Sequence, residues 1–123
     1  MLRIDHVQLA IPAGAEDLCR TFYVALLGMR EVPKPPALMA RGGLWLESPP
    51  VQIHLGIEED FRPARKAHPA FTVADLDGLA QILAAAGHEP LWDDAIPEIR
   101  RLYVSDPVGN RLEFMEDGGS PTK

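Results

Sequence analysis

The chain has 123 residues, 46% hydrophobic and 24% charged, with a formal net charge of −6. That size suits one compact domain or two half-domains sharing a core, and the acidic balance argues against a nucleic-acid partner, which needs a basic footprint. No apolar run approaches the ~20 residues of a membrane span; the single cysteine, Cys19, rules out an internal disulfide, and without a secretion signal the expected setting is cytoplasmic.

Residues 3–10 alternate, with Ile4, His6, Gln8 and Ala10 on one face and Asp5, Val7 and Leu9 on the other, which predicts a first strand. From Glu16 to Leu27 the apolar residues Leu18, Phe22, Ala25 and Leu26 recur at helical spacing, with Gly28 as the stop. Met29–Val32 is a short strand, and the prolines at 33, 35 and 36 then break regular structure. Gly43–Glu47 is a strand carrying Trp45, and Val51–Gly56 alternates cleanly, Val51, Ile53 and Leu55 opposite Gln52 and His54. A charged loop covers 58–67. His68–Val73 is a strand, with Pro69 near its start where a missing N–H is tolerated.

Asp75–Ala86 reads as a helix with Asp75 as N-cap and Gly87 past its end. Glu89–Trp92 and Arg100–Ser105 are strands. The run Asp106-Pro107-Val108-Gly109-Asn110 is a tight turn. It feeds a final strand with Arg111, Glu113 and Met115 on one face and Leu112 and Phe114 on the other. That turn sets the register, and register decides where Glu113 points. A frayed tail is expected at 119–123.

Strand, helix and three strands thus occur twice, and His68 follows His6 at an offset of 62 residues. An internal repeat of this kind decides the fold. The expectation is an α+β fold of two βαβββ modules forming a cup-shaped mixed sheet. It is a single domain over 1–118, with module one about 1–57 and module two about 67–118. Each helix would cover one sheet face, leaving the other faces as walls of the cup. His6, His54, His68 and Glu113 all fall on strand faces opposite the apolar ones. Three imidazoles and a carboxylate suit a divalent transition metal, since imidazole offers a lone pair and the carboxylate offsets charge. Read singly, each is equally an ordinary polar strand residue, and Glu113 an ion-pair partner of Arg111.

On Ile4-Asp5-His6-Val7, Phe22-Tyr23 through Leu27-Gly28-Met29, and Asp106-Pro107-Val108-Gly109-Asn110 leading into Leu112-Glu113-Phe114, the chain resembles the vicinal oxygen chelate superfamily. This is also called the glyoxalase/bleomycin-resistance/extradiol-dioxygenase family. The resemblance covers essentially the whole chain. It implies metal ligands at His6, His68 and Glu113, with His54 as a further ligand or alternate base beside Glu113. It implies a divalent ion (iron, manganese, nickel, cobalt or zinc) and a small substrate with adjacent oxygens. Lyase, isomerase, transferase or dioxygenase chemistry would follow, in a homodimer. Histidine at 54, where relatives often carry glutamate or glutamine, departs from the glyoxalase I pattern.

Arg62, Arg65 and Lys66, just before His68, are candidates for an anionic substrate group; a solvated basic loop reads equally well. Arg100 and Arg101 are similar candidates, one of which should point inward on a strand, and Tyr103 and Trp45 either line the cup or fill a core. The competing reading is a metal-free ligand-binding protein similar to bleomycin-resistance members, with the histidines as polar lining.

Overall fold

The computed structural model describes residues 1–118, so the expected tail at 119–123 lies outside the described residues. The fold is α+β, and the chain divides between Ala64 and Arg65 into two compact units.

In the first unit, β1 (Val7–Ile11), β2 (Arg30–Val32), β3 (Leu44–Ser48) and β4 (Val51–Ile57) form a sheet in the order β1-β4-β3-β2. β1 runs parallel to β4, and the other pairs are antiparallel. In the second unit, β5 (Ala70–Val73), β6 (Leu91–Asp93), β7 (Arg101–Ser105) and β8 (Arg111–Glu116) repeat the plan as β5-β8-β7-β6, with β5 parallel to β8. The parallel pair needs a crossover, and each unit supplies a helix after its first strand. In the second unit this is α2 (Leu76–Ala85), which packs on β8. Its buried Leu76, Ala80 and Leu83 follow the helical period. Asp75 caps it by accepting the Gly78 N–H, as its position predicted.

The first-unit helix differs from expectation. It starts as α1 (Glu16–Cys19) and continues over Arg20–Leu26 as a π-helix. The Leu27 amide reaches back five residues to the Phe22 carbonyl. The wider turn places the adjacent Phe22 and Tyr23 together in the core with Cys19, while Leu18 is exposed. Of the spacing Leu18, Phe22, Ala25, Leu26, Phe22 is thus buried as expected, while Leu18 and Ala25 are exposed. Pro36–Arg41 forms a 3₁₀ helix that periodicity did not reveal. It begins on proline, which presets φ without needing an N–H.

Two strands start later than the alternation suggests. β1 begins at Val7, where its ladder to β4 begins, and Ile4 is exposed. β5 begins at Ala70, leaving His68 just ahead of the strand.

Paired residues on neighbouring strands share a face. In the first unit one row reads Gln8, His54, Trp45, Val32; in the second the matching row reads Ala70, Glu113, Tyr103, Leu91. Gln8 and Ala70 are 62 residues apart, so His54 and Glu113 occupy equivalent positions of the repeat. The alternate positions are buried as Leu9, Leu44, Leu46, Ile53 and Leu55 in the first unit and Leu102, Val104, Leu112 and Phe114 in the second.

Candidate functional site

The turn before β8 is built as its residues predict. Asp106 accepts the amides of Val108 (3.0 Å) and Asn110 (2.8 Å) on Oδ1. The Gly109 amide donates to the Asp106 carbonyl, and Gly109 takes φ 96°, which glycine accepts freely. Asp106 and Asn110 are buried. This lock sets the β8 register and puts Glu113, 6% exposed, beside Ala70 on one side and Tyr103 on the other.

His68 lies two residues before Ala70, the diagonal position that reaches Glu113 on the same face. Its Nε2 is 2.9 Å from Glu113 Oε1, and its Nδ1 is 2.8 Å from the Lys66 carbonyl oxygen. A carbonyl only accepts, so Nδ1 carries the proton. Nε2 then faces a carboxylate oxygen, and two lone pairs at that distance require a cation between them, either a proton or a metal ion. Glu113 Oε2 accepts from Arg101 (3.4 Å), whose other amino group donates to Asp93 (3.1 Å). The Arg101 Nε is buried and makes no hydrogen bond among the described residues.

The first unit carries the equivalent positions with different chemistry. His6 is two residues before Gln8, the partner of His54. The His6 and His54 rings stack with centroids 4.0 Å apart and planes 17° apart; Trp45 also stacks on His54 at 4.0 Å and 5°. His6 Nδ1 lies 2.8 Å from Asp5 Oδ2, which leaves Nε2 open. Burial, and then the neighbouring His6, push the His54 pKa below the ordinary histidine value, against a smaller opposing pull from Asp5. His54 is thus kept as neutral imidazole near pH 7.

A divalent ion needs donors at a set spacing. Ligands bound at ~2.0–2.2 Å and at right angles lie about 3 Å apart. The His68–Glu113 separation matches that, and the Nδ1 bond to a backbone carbonyl is the outer support that orients a ligand histidine. This pair fits. His6 and His54 as stacked do not fit as a chelating pair. A metal lies in the plane of each imidazole it binds, and two nearly parallel planes this far apart share no such point. Within either unit, among the described residues, no three His, Cys, Asp or Glu side chains gather at one point.

Arg62, Arg65 and Lys66 are exposed, and Lys66 serves His68 through its carbonyl rather than its ammonium. Arg65 and Tyr103 line a second-unit cavity of about 590 Å³ together with Arg111. Arg111 sits over the Tyr103 ring at 3.9 Å and donates to the Arg65 carbonyl (3.4 Å), so it is Arg101, not Arg111, that pairs with Glu113. Arg100 points elsewhere, to Asp77, Glu116 and the face of Trp92. Trp45 lines a first-unit cavity of about 550 Å³ with His6 and His54. That cavity also takes Lys34 and Arg41, which sequence reasoning passed over. They lie in a segment bounded by proline and glycine, where no periodicity says which way a side chain faces. Asp93, the second partner of Arg101, carried no signal either.

Comparison with known proteins supplies the family. Residues 3–114 match the Glyoxalase/Bleomycin resistance protein/Dioxygenase superfamily. A solved structure from Bacillus anthracis, described as belonging to the glyoxalase family, is similar at 49% identity with TM-score 0.90, covering 94% of this chain and 95% of that one. A mutant of the fosfomycin resistance protein FosX from Listeria monocytogenes was solved with Mn(II) and 1S,2S-dihydroxypropylphosphonic acid. It is similar at 15% identity with TM-score 0.78, covering 94% and 92%. A glyoxalase/dioxygenase from Nostoc punctiforme is similar at 21% identity with TM-score 0.75, covering 94% and 92%. At the two lower identities the likeness is one of fold. No curated protein matches the chain.

Proposed function

The chain belongs to the glyoxalase/bleomycin resistance protein/dioxygenase superfamily, and we propose that within it this protein is a divalent-metal-dependent enzyme acting on a small anionic substrate with adjacent oxygens. The reaction is of the lyase, isomerase, transferase or dioxygenase type. The observation that carries this reading is the 2.9 Å approach of His68 Nε2 to Glu113 Oε1, with Nδ1 anchored on a backbone carbonyl. His68 and Glu113 hold the ion. His6, which the family resemblance implies as a further ligand, has its Nε2 left open by the Asp5 contact. Iron, manganese, nickel, cobalt and zinc all accept such a donor set. The bound ion supplies Lewis acidity to the substrate oxygens.

The protein's own groups do the rest. Arg101 holds Glu113 Oε2, so Oε1 stays turned toward His68. His54, kept neutral, is the side chain suited to take a proton near pH 7. Tyr103 carries the Arg111 guanidinium on its face, and with Arg65 these present positive charge to an anionic group. We read the chain as one domain over 1–118, acting as a cytoplasmic homodimer. Among the described residues no helix is long and apolar enough to cross a membrane.

One observation favours a second reading, a metal-free binding protein: the Trp45–His54–His6 column is an aromatic wall in which both imidazoles serve as ring surface. Metal content per chain, measured on untagged protein purified without chelator, together with manganese calorimetry, separates the two. Stoichiometric metal, or uptake of one manganese that is lost in His68→Ala, supports the enzyme reading. A chain that stays empty with each of the five metals, or a His68→Ala variant with wild-type affinity, sinks the ligand assignment.

A further inference from the structure

The first-unit cavity, about 550 Å³, falls within the ~300–1,000 Å³ of small-ligand sites. Three features say what it takes. Its aromatic surface is the column Trp45, His54, His6, whose end ring, His6, has a side chain 39% exposed. Its cations are Lys34 and Arg41. Of the unit's arginines, Arg20 pairs with Asp17 and Glu31, and Arg30 with Glu47. Lys34 and Arg41 have no ion pair among the described residues. Lys34 Nζ donates to the Gly42 carbonyl, and an ammonium keeps two further donors. Asp5 is the carboxylate on the lining, and it is engaged by His6. The charged lining is therefore one positive charge in excess, which favours a monoanion.

The cationic segment is also braced. Gly42 and Gly43 have φ of 71° and 82°, and a Cβ on Gly43 would lie 2.1 Å from the Leu55 carbonyl oxygen. Only glycine lets the backbone approach β4 this closely. The Gly43 amide donates to Glu16 Oε2 (3.1 Å). The backbone next to Arg41 is thus held to β4 and to α1, and Lys34 reaches the same segment through the Gly42 carbonyl.

We propose that this cavity binds a small planar oxyanion, an aromatic or conjugated carboxylate or phosphonate, with its flat body stacked on His6 and its anionic group on Lys34 and Arg41. That this ligand is the substrate rests on the function proposed above; the binding itself needs no metal.

The test uses the whole chain, stripped of metal with a chelator and dialysed. Benzoate, phenylphosphonate and neutral benzyl alcohol are titrated in turn, and the Trp45 indole N–H is followed by two-dimensional NMR, assigned with Trp92→Phe. Expected is a saturable Trp45 shift with benzoate or phenylphosphonate, and a much weaker response to benzyl alcohol. The tighter of the two anions identifies the headgroup. Lys34→Gln with Arg41→Gln weakens binding at least ~10-fold, as loss of charge-assisted contacts requires. Arg41→Gln alone, at an exposed site, serves if the double variant loses its fold. No saturable shift, equal binding of benzyl alcohol, or unchanged affinity in the variants overturns the proposal. A parallel manganese titration keeps the two readings apart. Manganese uptake without anion binding refutes this inference alone, and anion binding by a chain that stays empty with each of the five metals refutes the metal reading alone.

Discussion

In the first unit His6 meets His54 flat against flat, ring on ring at 4.0 Å; in the second His68 meets Glu113 end-on, Nε2 to Oε1 at 2.9 Å. The backbone positions are the same. Each histidine sits two residues ahead of the first-strand partner of the residue it touches, and each contacted residue has an aromatic across the next strand, Trp45 or Tyr103. Every residue of the row differs between the units, and the contacted one, His54 against Glu113, sets the kind of contact. With imidazole at 54, three rings close into a column, face against face. With carboxylate at 113, a charged acceptor draws the imidazole nitrogen toward itself, and Arg101 balances the second oxygen. One ladder geometry thus yields a stacking surface in one unit and a donor pair in the other, and the chemistry follows the residue rather than the fold.

The sharpest way to break that contrast is metal binding. Glu113→Ala is expected to weaken manganese more than about 100-fold, since even outer-shell partners of a ligand are worth ~10–100-fold. His54→Ala should stay near wild type. Calorimetry giving equal losses would mean that the two positions do the same work.

Next comes the column itself. Trp45→Ala is expected to cost about 2 kcal/mol in urea unfolding, combining lost area with the ~0.5–1.5 kcal/mol of a ring pair. It should also raise the His54 pKa toward its ordinary value, because burial is the leading cause of the shift. An NMR titration in which His54 does not move would assign the shift to something other than the column. Tyr103→Ala in the second unit should leave the His68–Glu113 contact in place, visible as unchanged manganese affinity within a few-fold.

The pH dependence has a definite sign. His54 is held below the usual histidine range, so the unfolded chain takes up its proton before the folded one does. The stability this contributes is present above about pH 6.5 and is lost as pH falls through the folded value. His54→Gln should flatten the decline in unfolding free energy below pH 6.5. An identical slope in the variant counts against a neutral, buried His54.

The smallest expected effects concern the helix ends. Asp75 caps its own helix through the Gly78 amide, whereas Glu16 reaches off its helix to the Gly43 amide. Asp75→Ala and Glu16→Ala should each cost about 1 kcal/mol, by loss of a cap and of one charge-assisted bond respectively. Only Glu16→Ala should also weaken benzoate binding, because of the two only Glu16 bonds the backbone beside the Lys34–Arg41 segment. Gly43 holds the Glu16 carboxyl below the usual carboxylate range, so its share of stability is lost as pH falls through the folded value. Equal benzoate affinity in both variants would mean that the Glu16 bond does not steady that segment.

Much was legible in the residues alone. Alternation and turn chemistry are local, so the eight strands, the capped helix after Asp75 and the Asp106–Asn110 turn followed from short stretches of chain. So did the repeat, since its 62-residue offset is carried by matching residues, and with it the equivalence of His54 and Glu113. The π-helical segment was not legible. Its wide turn depends on the Phe22 carbonyl taking the Leu27 amide, a choice made by packing Phe22 and Tyr23 together in the core. Nor were the partners of the site. Whether Arg101 or Arg111 meets Glu113, whether His6 presents a nitrogen or a ring face to His54, and where Lys34 and Arg41 point are decided by groups far apart in the chain. Sequence by itself determined which residues share a face, because the strand period is a property of the backbone. Only the tertiary structure decided which atoms on that face touch, because contact depends on the size and charge of side chains brought in from other strands.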